Sequence, residues 1–322
     1  MIMMLSLAAV ALAMSNTATI TTKAIELRDR GFTVLTDTCM DAELLKRAAQ
    51  ASHDVLEERL KDVAKLGCEP LDQGYAFGDI CHRARSRWDL AAPKEHGEIT
   101  RAAMQRVSPI IEELHRLPVN PGEGGLAWAR RLAPRSPKLL YTRALISRPG
   151  APAQNFHVDQ EMGWKSALLP SHRLFNVFVP LVDISADDDG TQFLPGSHLG
   201  GMNNALCTAA IQRSGRVVDD ELAMNAMEAP GCPAGGIIIF DYRTLHRGLP
   251  NSGARVRPVA YGVCSTGWAK DRVNYPPLDV RDVVDNLPTD VEERDLARRA
   301  IRGAHPLWSD IEEAQEQSAV RT

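Results

Sequence analysis

Aromatic residues are scarce: Phe, Tyr and Trp make up 5% of the 322 residues. Surfaces that stack bases need them, so single-stranded nucleic acid is disfavoured as a ligand. Neither charge sign dominates, with 37 basic and 41 acidic residues and a net charge of −4. No global field therefore draws the chain to nucleic acid or to an anionic membrane. The six cysteines contain no C-x-x-C pair, which removes the zinc ribbon and the thioredoxin-type site. At 44% apolar, a chain of this length builds a core that does not need disulfides, and the thiols are read as mostly free. There is no H-E-x-x-H helix, no internal repeat and no low-complexity tract. The apolar run Met1 to Met14 is too short to span a bilayer.

That run carries Ala11-Leu12-Ala13, a small-residue pattern like a cleavage site, and leads into a hydroxyl-rich, acid-free stretch. It lacks a basic flank, so both a targeting segment and a short leading helix stay open. The expectation is a leader over 1–22, targeted or disordered, then one domain over 23–322 with its β core at approximately 139–270. The location is cytoplasmic, or organellar or secretory if residues 1–22 direct it.

The hydrophobic period divides the chain. Gly31 to Leu35 reads as a strand. Residues 41–65 carry Leu44, Leu45, Ala48, Val55, Leu56, Leu60 and Val63 at helical spacing. Residues 67–97 read as irregular, and 98–117 as a helix stopped by Pro118. From Leu139 the period falls to two. The runs LLYTRALIS, RLFNVFVPLVDI, GGIIIFD and RPVAYGVCST are separated by the turn-formers PGAP, DDDG, PGSH and PNSG. Asp187-Asp188-Asp189-Gly190 lacks the spaced ligands of a calcium loop and reads as a tight turn. Such strands suggest a sandwich or a closed jelly roll. After 270 the chain reads as helical, with a capping box at Thr289 and Glu292 and a stop at Gly303.

The chemistry is concentrated in His157-Val158-Asp159 and in His246, 87 residues beyond Asp159. On a strand, positions i and i+2 point to the same side of the sheet. Two imidazoles and a carboxylate can take one face of an octahedral ferrous ion, leaving three positions for a chelating co-substrate and dioxygen. Each imidazole needs its second nitrogen held, and Asp241 and Gln154 are near enough in sequence to do so. Arg257 lies eleven residues after His246 and Arg255 nine after it. Arg257 is a candidate for gripping a carboxylate in bidentate fashion.

Together these pieces resemble the phytanoyl-CoA dioxygenase family of iron- and 2-oxoglutarate-dependent oxygenases. The matching segments are Gly31 to Leu35, Gln154 to Asp159, Phe178 to Asp183, Gly190 to His198, Pro233 to Asp241, and His246 to Asn251 leading to Arg257. The resemblance implies a mainly β chain with flanking helices, built on a double-stranded β-helix (a cupin-like jelly roll). It implies Fe(II) on His157, Asp159 and His246, with 2-oxoglutarate chelating the iron and its far carboxylate on Arg257. Asn176 is a further co-substrate candidate, and His198 is structural by the same logic. Halogenating relatives replace the carboxylate with a small residue, so the presence of Asp159 disfavours halogenation. The implied reaction uses O2 and 2-oxoglutarate, releases succinate and CO2, and oxidises an unactivated C–H bond by hydroxylation, desaturation or cyclisation.

The substrate signal is local. Arg83, Arg85 and Arg87 alternate, so one extended segment would place them on one face, where they could read an acidic small molecule. A solvated edge is the ordinary alternative. Trp164 and Met162 follow the triad and are candidates for the pocket wall. The competing readings are a catalytically silent β-helix protein that binds a ligand, and a zinc hydrolase. Neither nucleic acid nor membrane is expected as a partner.

Overall fold

The change of period near Leu139 is a change of layer. In the computed structural model, residues 17–37, 40–68, 74–118, 136–159, 174–186, 189–199, 226–266 and 278–286 are described. The strands are β1 (Phe32–Leu35), β2 (Ile80–Ala84), β3 (Arg87–Ala91), β4 (Lys138–Ser147), β5 (Leu174–Pro180), β6 (Thr191–Phe193), β7 (Ile237–Asp241), β8 (His246–Gly248) and β9 (Arg257–Ser265). Seven of them form an antiparallel sheet in the order β1-β7-β5-β9-β4-β3-β2, and β6 pairs with β8 in a second, small sheet. The architecture is the expected mainly β jelly roll with helical flanks.

Alternation assigns the two faces of the large sheet. Phe175, Val177, Val179, Ile237, Ile239, Ala260 and Cys264 pack outward against the helices. Leu174, Phe178, Ile238, Phe240, Tyr261 and Val263 turn inward with Phe32 and Phe193. Every residue of β5 is buried, because both faces of the sheet are covered there.

Residues 17–30 are helical (α1). α2 (Ala42–Lys65) is capped by Asp41, whose side chain accepts from the Leu44 amide, and α3 spans Lys94–Leu114. α4 covers Val280–Asp285. The apolar stripe of α2 divides: Leu45 and Ala48 join the cluster under α3, while Leu56, Leu60 and Val63 pack on Trp88, Leu90, Ala144 and Ile146. No helix among the described residues is long and apolar enough to cross a membrane.

Three expectations are corrected. The leader boundary at 22 falls inside α1: Ile20, Ala24 and Leu27 pack in the core, and Thr21 reaches Glu113. α3 begins at Lys94 after Pro93 and ends at Leu114, short of Pro118, and it accommodates Pro109 internally. Residues 67–97 are not irregular throughout, since β2 and β3 form a hairpin whose turn carries Ser86 at a φ of 58°. Cys81, Cys232 and Cys264 are free thiols. The capping box at Thr289, the stop at Gly303, and Trp164 and Met162 lie outside the described residues.

Candidate active site

His157 and His246 are brought together by backbone pairing. The His157 amide donates to the His246 carbonyl, and the His246 amide donates back to the His157 carbonyl, each at 2.9 Å. This reciprocal pair fastens the segment after β4 to the start of β8. The Asp159 amide continues the attachment by donating to the Tyr242 carbonyl at 3.0 Å. Residues far apart in the chain thus become neighbours through hydrogen bonds that carry no side-chain signature.

The donor atoms converge. Asp159 Oδ1 lies 3.8 Å from His157 Nε2, and Asp159 Oδ2 lies 3.6 Å from His246 Nε2. All three ligand atoms lie within 4.8 Å of one another. Each imidazole presents Nε2 because Nδ1 is already engaged: His157 Nδ1 sits 2.9 Å from the Asn155 carbonyl, and His246 Nδ1 sits 2.9 Å from the Thr244 carbonyl. A backbone carbonyl accepts from N–H, which leaves the Nε2 lone pair for a metal. Removal from water, followed by the neighbouring His246, holds the His157 imidazole down to about 4, with Asp159 pulling the other way. Its ring is neutral at physiological pH, as a metal ligand must be. Two neutral imidazoles and one carboxylate, with no thiolate among them, are a donor set that fits ferrous iron.

The remaining expected residues separate. Asn176 projects inward from β5, and its Nδ2 donates to Asp159 Oδ2 at 2.5 Å, so it orients the carboxylate ligand. The expectation that Asp241 or Gln154 holds an imidazole is corrected. Asp241 is engaged by Arg243, and Gln154 Oε1 accepts from the Gly248 amide at 3.0 Å. The carbonyls two residues before each histidine do that work, and such backbone partners leave no trace in residue type. His198 stands against Gly31, with its Nε2 2.9 Å from the Arg28 carbonyl, in a structural position.

The arginines are also divided. Arg83, Arg85 and Arg87 do not share one extended face, because the hairpin turn intervenes. Arg83 on β2 donates to Asp89 Oδ2 at 2.9 Å, Arg85 lies exposed at the turn, and Arg87 on β3 is 4% exposed. Arg255 is exposed and donates to the Asp183 carbonyl. Arg257 is buried, donating to the Leu249 carbonyl at 3.0 Å and the Pro250 carbonyl at 3.2 Å, and it forms an ion pair with Asp189.

Sequence reasoning missed two acids. In the sequence Asp189 reads only as part of a turn. Asp89 is buried on the inward face, where it accepts from Arg143 Nε at 2.8 Å, from Arg83, and from Tyr261 Oη at 2.8 Å. The available signal was the alternation in Arg87-Trp88-Asp89-Leu90, with apolar residues facing α2 and charged ones facing inward.

The sequence model of the family described as phytanoyl-CoA dioxygenase (PhyH) matches residues 27–259, well over half of the chain and inclusive of the triad and Arg257. The chain belongs to the phytanoyl-CoA dioxygenase family. It is an Fe(II)- and 2-oxoglutarate-dependent oxygenase, with O2 as the oxidant expected of the family.

Solved structures that the chain matches include the non-heme alpha ketoglutarate dependent carbocyclase SnoK from nogalamycin biosynthesis. It is 15% identical with a TM-score of 0.48, covering 76% of this chain and 83% of that one. EvdO2 from Micromonospora carbonacea var. aurantiaca, complexed with 2-oxoglutarate, is 16% identical with a TM-score of 0.44, covering 80% and 94%. HygX from Streptomyces hygroscopicus, with nickel and 2-oxoglutarate bound, is 11% identical with a TM-score of 0.49, covering 78% and 88%.

Proposed function

We propose that this oxygenase oxidises an unactivated C–H bond of a small acidic metabolite, by hydroxylation, desaturation or cyclisation, with formation of succinate and CO2. His157, Asp159 and His246 hold the iron. Asn176 keeps Asp159 facing it, and Arg257 anchors the far carboxylate of 2-oxoglutarate. Bound iron with its co-substrate supplies the oxidising power. The protein binds and orients the substrate and keeps bulk water from the reacting carbon.

The observation that carries the acidic-substrate reading is the position of Arg83. It shares the inward face of the β2–β3 hairpin with Asp89, the face that also carries Arg87 opposite Ser147 and Arg257. Its side chain keeps 19% exposure, whereas Asp89, which holds it in place, keeps 2%. A guanidinium so held has already lost most of its rotamer freedom, so it costs little to present to a carboxylate or phosphate ester.

The test is a screen of acidic metabolites for substrate-dependent succinate formation, with Asp159→Ala as the inactive control. Arg83→Gln should raise KM for the substrate found and leave the affinity for 2-oxoglutarate unchanged. An unchanged substrate KM removes Arg83 from recognition, and a neutral best substrate removes the acidic class.

A further inference from the structure

Two guanidiniums meet where three strands fall into register. Arg87 on β3 is directly opposite Ser147 on β4, and Ser147 is directly opposite Arg257 on β9. Directly opposed residues of antiparallel strands point to the same face. That face is the inward one, because Arg257 alternates with Val259, Tyr261 and Val263 of the inner cluster.

The two side chains converge on a single acceptor. Arg87 Nη2 donates to the Leu249 carbonyl at 2.6 Å, and Arg257 Nη2 donates to the same oxygen at 3.0 Å. Arg87 Nη2 also reaches the Pro152 carbonyl at 3.1 Å, and Arg257 Nη2 reaches Ser147 Oγ at 3.4 Å. Arg87 and Arg257 are 4% and 5% exposed. Burial, and for Arg87 also the neighbouring Arg257, lowers each to about 10, so both are charged at neutral pH.

Their counter-charges are unequal. Arg257 has Asp189. Among the described residues Arg87 has two backbone carbonyls and no carboxylate, and its Nε is buried without a hydrogen-bond partner. Two buried cations beside one carboxylate leave a positive charge uncompensated in a region of low dielectric, an arrangement that calls for an anion.

The position of this charge relative to the iron ligands follows from Gly248. It is two residues beyond His246 on β8, so a side chain there would point the same way as the imidazole, about 7 Å further along the strand. A Cβ at Gly248 would meet Arg87 Nη1 at 1.9 Å and Gln154 Oε1 at 2.5 Å. Arg87 therefore fills the place that glycine leaves open, one step along β8 from a metal ligand. That offset suits a short dicarboxylate with one end at the triad and the other at the arginine pair.

We infer that Arg87 is the second cation of the co-substrate anchor: the far carboxylate of 2-oxoglutarate is held between Arg87 and Arg257, and Asp189 is the internal carboxylate that competes for Arg257. This rests on the assignment of Arg257 made under Proposed function.

The experiment is calorimetric titration of the Ni(II)-loaded full chain, which binds co-substrate without turning it over. The ligands are 2-oxoglutarate and 2-oxobutyrate, which lacks the far carboxylate. Arg87→Gln should weaken 2-oxoglutarate by about tenfold or more, the scale of a lost charge-assisted hydrogen bond. Binding of 2-oxobutyrate should be unchanged. Asp189→Asn should tighten 2-oxoglutarate several-fold, an effect that a folding defect does not produce.

The inference is overturned if Arg87→Gln keeps 2-oxoglutarate within about twofold of wild type, or weakens both ligands equally. If Arg87→Gln does not fold, Arg87→Met, which keeps the packing of the stem and removes the charge, takes its place with the same two ligands, and an unchanged 2-oxoglutarate affinity overturns the inference. An Arg257→Gln variant with unchanged 2-oxoglutarate affinity defeats the Arg257 assignment and this inference together. Weakening by Arg257→Gln but not by Arg87→Gln defeats only the inference.

Discussion

Asn176 holds Asp159 from across the barrel interior, Nδ2 to Oδ2 at 2.5 Å, and so fixes the one carboxylate of the candidate metal site. Asn176 is 4% exposed and lies in register with Val263 of β9 and Phe240 of β7, on the most buried part of the sheet. The carboxylate sits on a segment without strand pairing of its own beyond the His157–His246 bridge, so its direction depends on this contact. Removing a partner that orients a metal ligand typically costs about 10–100-fold in metal affinity. Asn176→Ala should weaken ferrous iron binding on that scale, measured anaerobically by competition with a chromophoric chelator. The far-ultraviolet circular dichroism should remain that of the wild type. An affinity equal to wild type removes Asn176 from the site.

Asp89 supports a second prediction. Burial alone would raise its carboxyl, but the guanidiniums of Arg143 and Arg83 more than reverse this and hold it below the ordinary carboxylate range. A group whose folded pKa is depressed stabilises the fold above its unfolded pKa, about 3.9. That contribution is lost as the pH falls from there through the lower folded value. Asp89→Asn leaves two guanidiniums without their shared carboxylate and should cost about 3–5 kcal/mol in chemical denaturation at neutral pH. The difference between variant and wild type should shrink below about pH 4, as the wild-type carboxylate itself takes a proton. A difference that is constant across this range contradicts the assignment.

The elements with one clean period were legible in the chain. β1, α2, β4, β5, β7 and β9 stand close to where alternation or helical spacing places them, because each presents a continuous apolar face to a single cluster. The β2–β3 hairpin was not legible. Its inward face carries Arg83, Arg87 and Asp89 beside Cys81, and a run dense in arginine reads as a loop. The convergence of the triad was legible through residue type and order, and Arg257 was a candidate through its place eleven residues after His246. The carbonyls of Asn155 and Thr244 were not, since any residue type offers one. Asp189 was hidden for a related reason: an acid before glycine is an ordinary turn-former, and only the fold shows which cation the turn reaches.

Gly31 gives a third prediction, which couples backbone geometry to the metal site. Its φ is +83°, and a Cβ there would meet Thr244 Oγ1 at 2.4 Å and His198 Nδ1 at 2.5 Å. The Thr244 hydroxyl donates to the Gly31 carbonyl at 3.0 Å, and the Thr244 carbonyl is the acceptor beside His246 Nδ1. The left-handed conformation alone costs a side-chain-bearing residue about 1–2 kcal/mol, and the steric conflict adds to it. Gly31→Ala should lower Tm and should also weaken iron binding, because the displaced Thr244 carries the carbonyl that orients His246. A variant with lower Tm and unchanged iron affinity separates the two effects and refutes the coupling.

Metal binding should register as stability. The three donors come from segments that meet only in the folded chain, so iron binds the native state and not the unfolded one. At a free metal concentration about 100 times Kd, one such site adds about 2.7 kcal/mol to the unfolding free energy. Ni(II), which avoids oxidation during the measurement, should therefore raise Tm of the wild-type chain in a concentration-dependent way. Asp159→Ala removes the one charge that offsets the cation, and its Tm should not respond over the same range. Its metal-free Tm should lie close to that of the wild type, because Asp159 is partly exposed and its loss opens no core cavity. If Asp159→Ala is stabilised by nickel as strongly as the wild type, the ion is bound elsewhere and the assignment of the triad as the metal site fails.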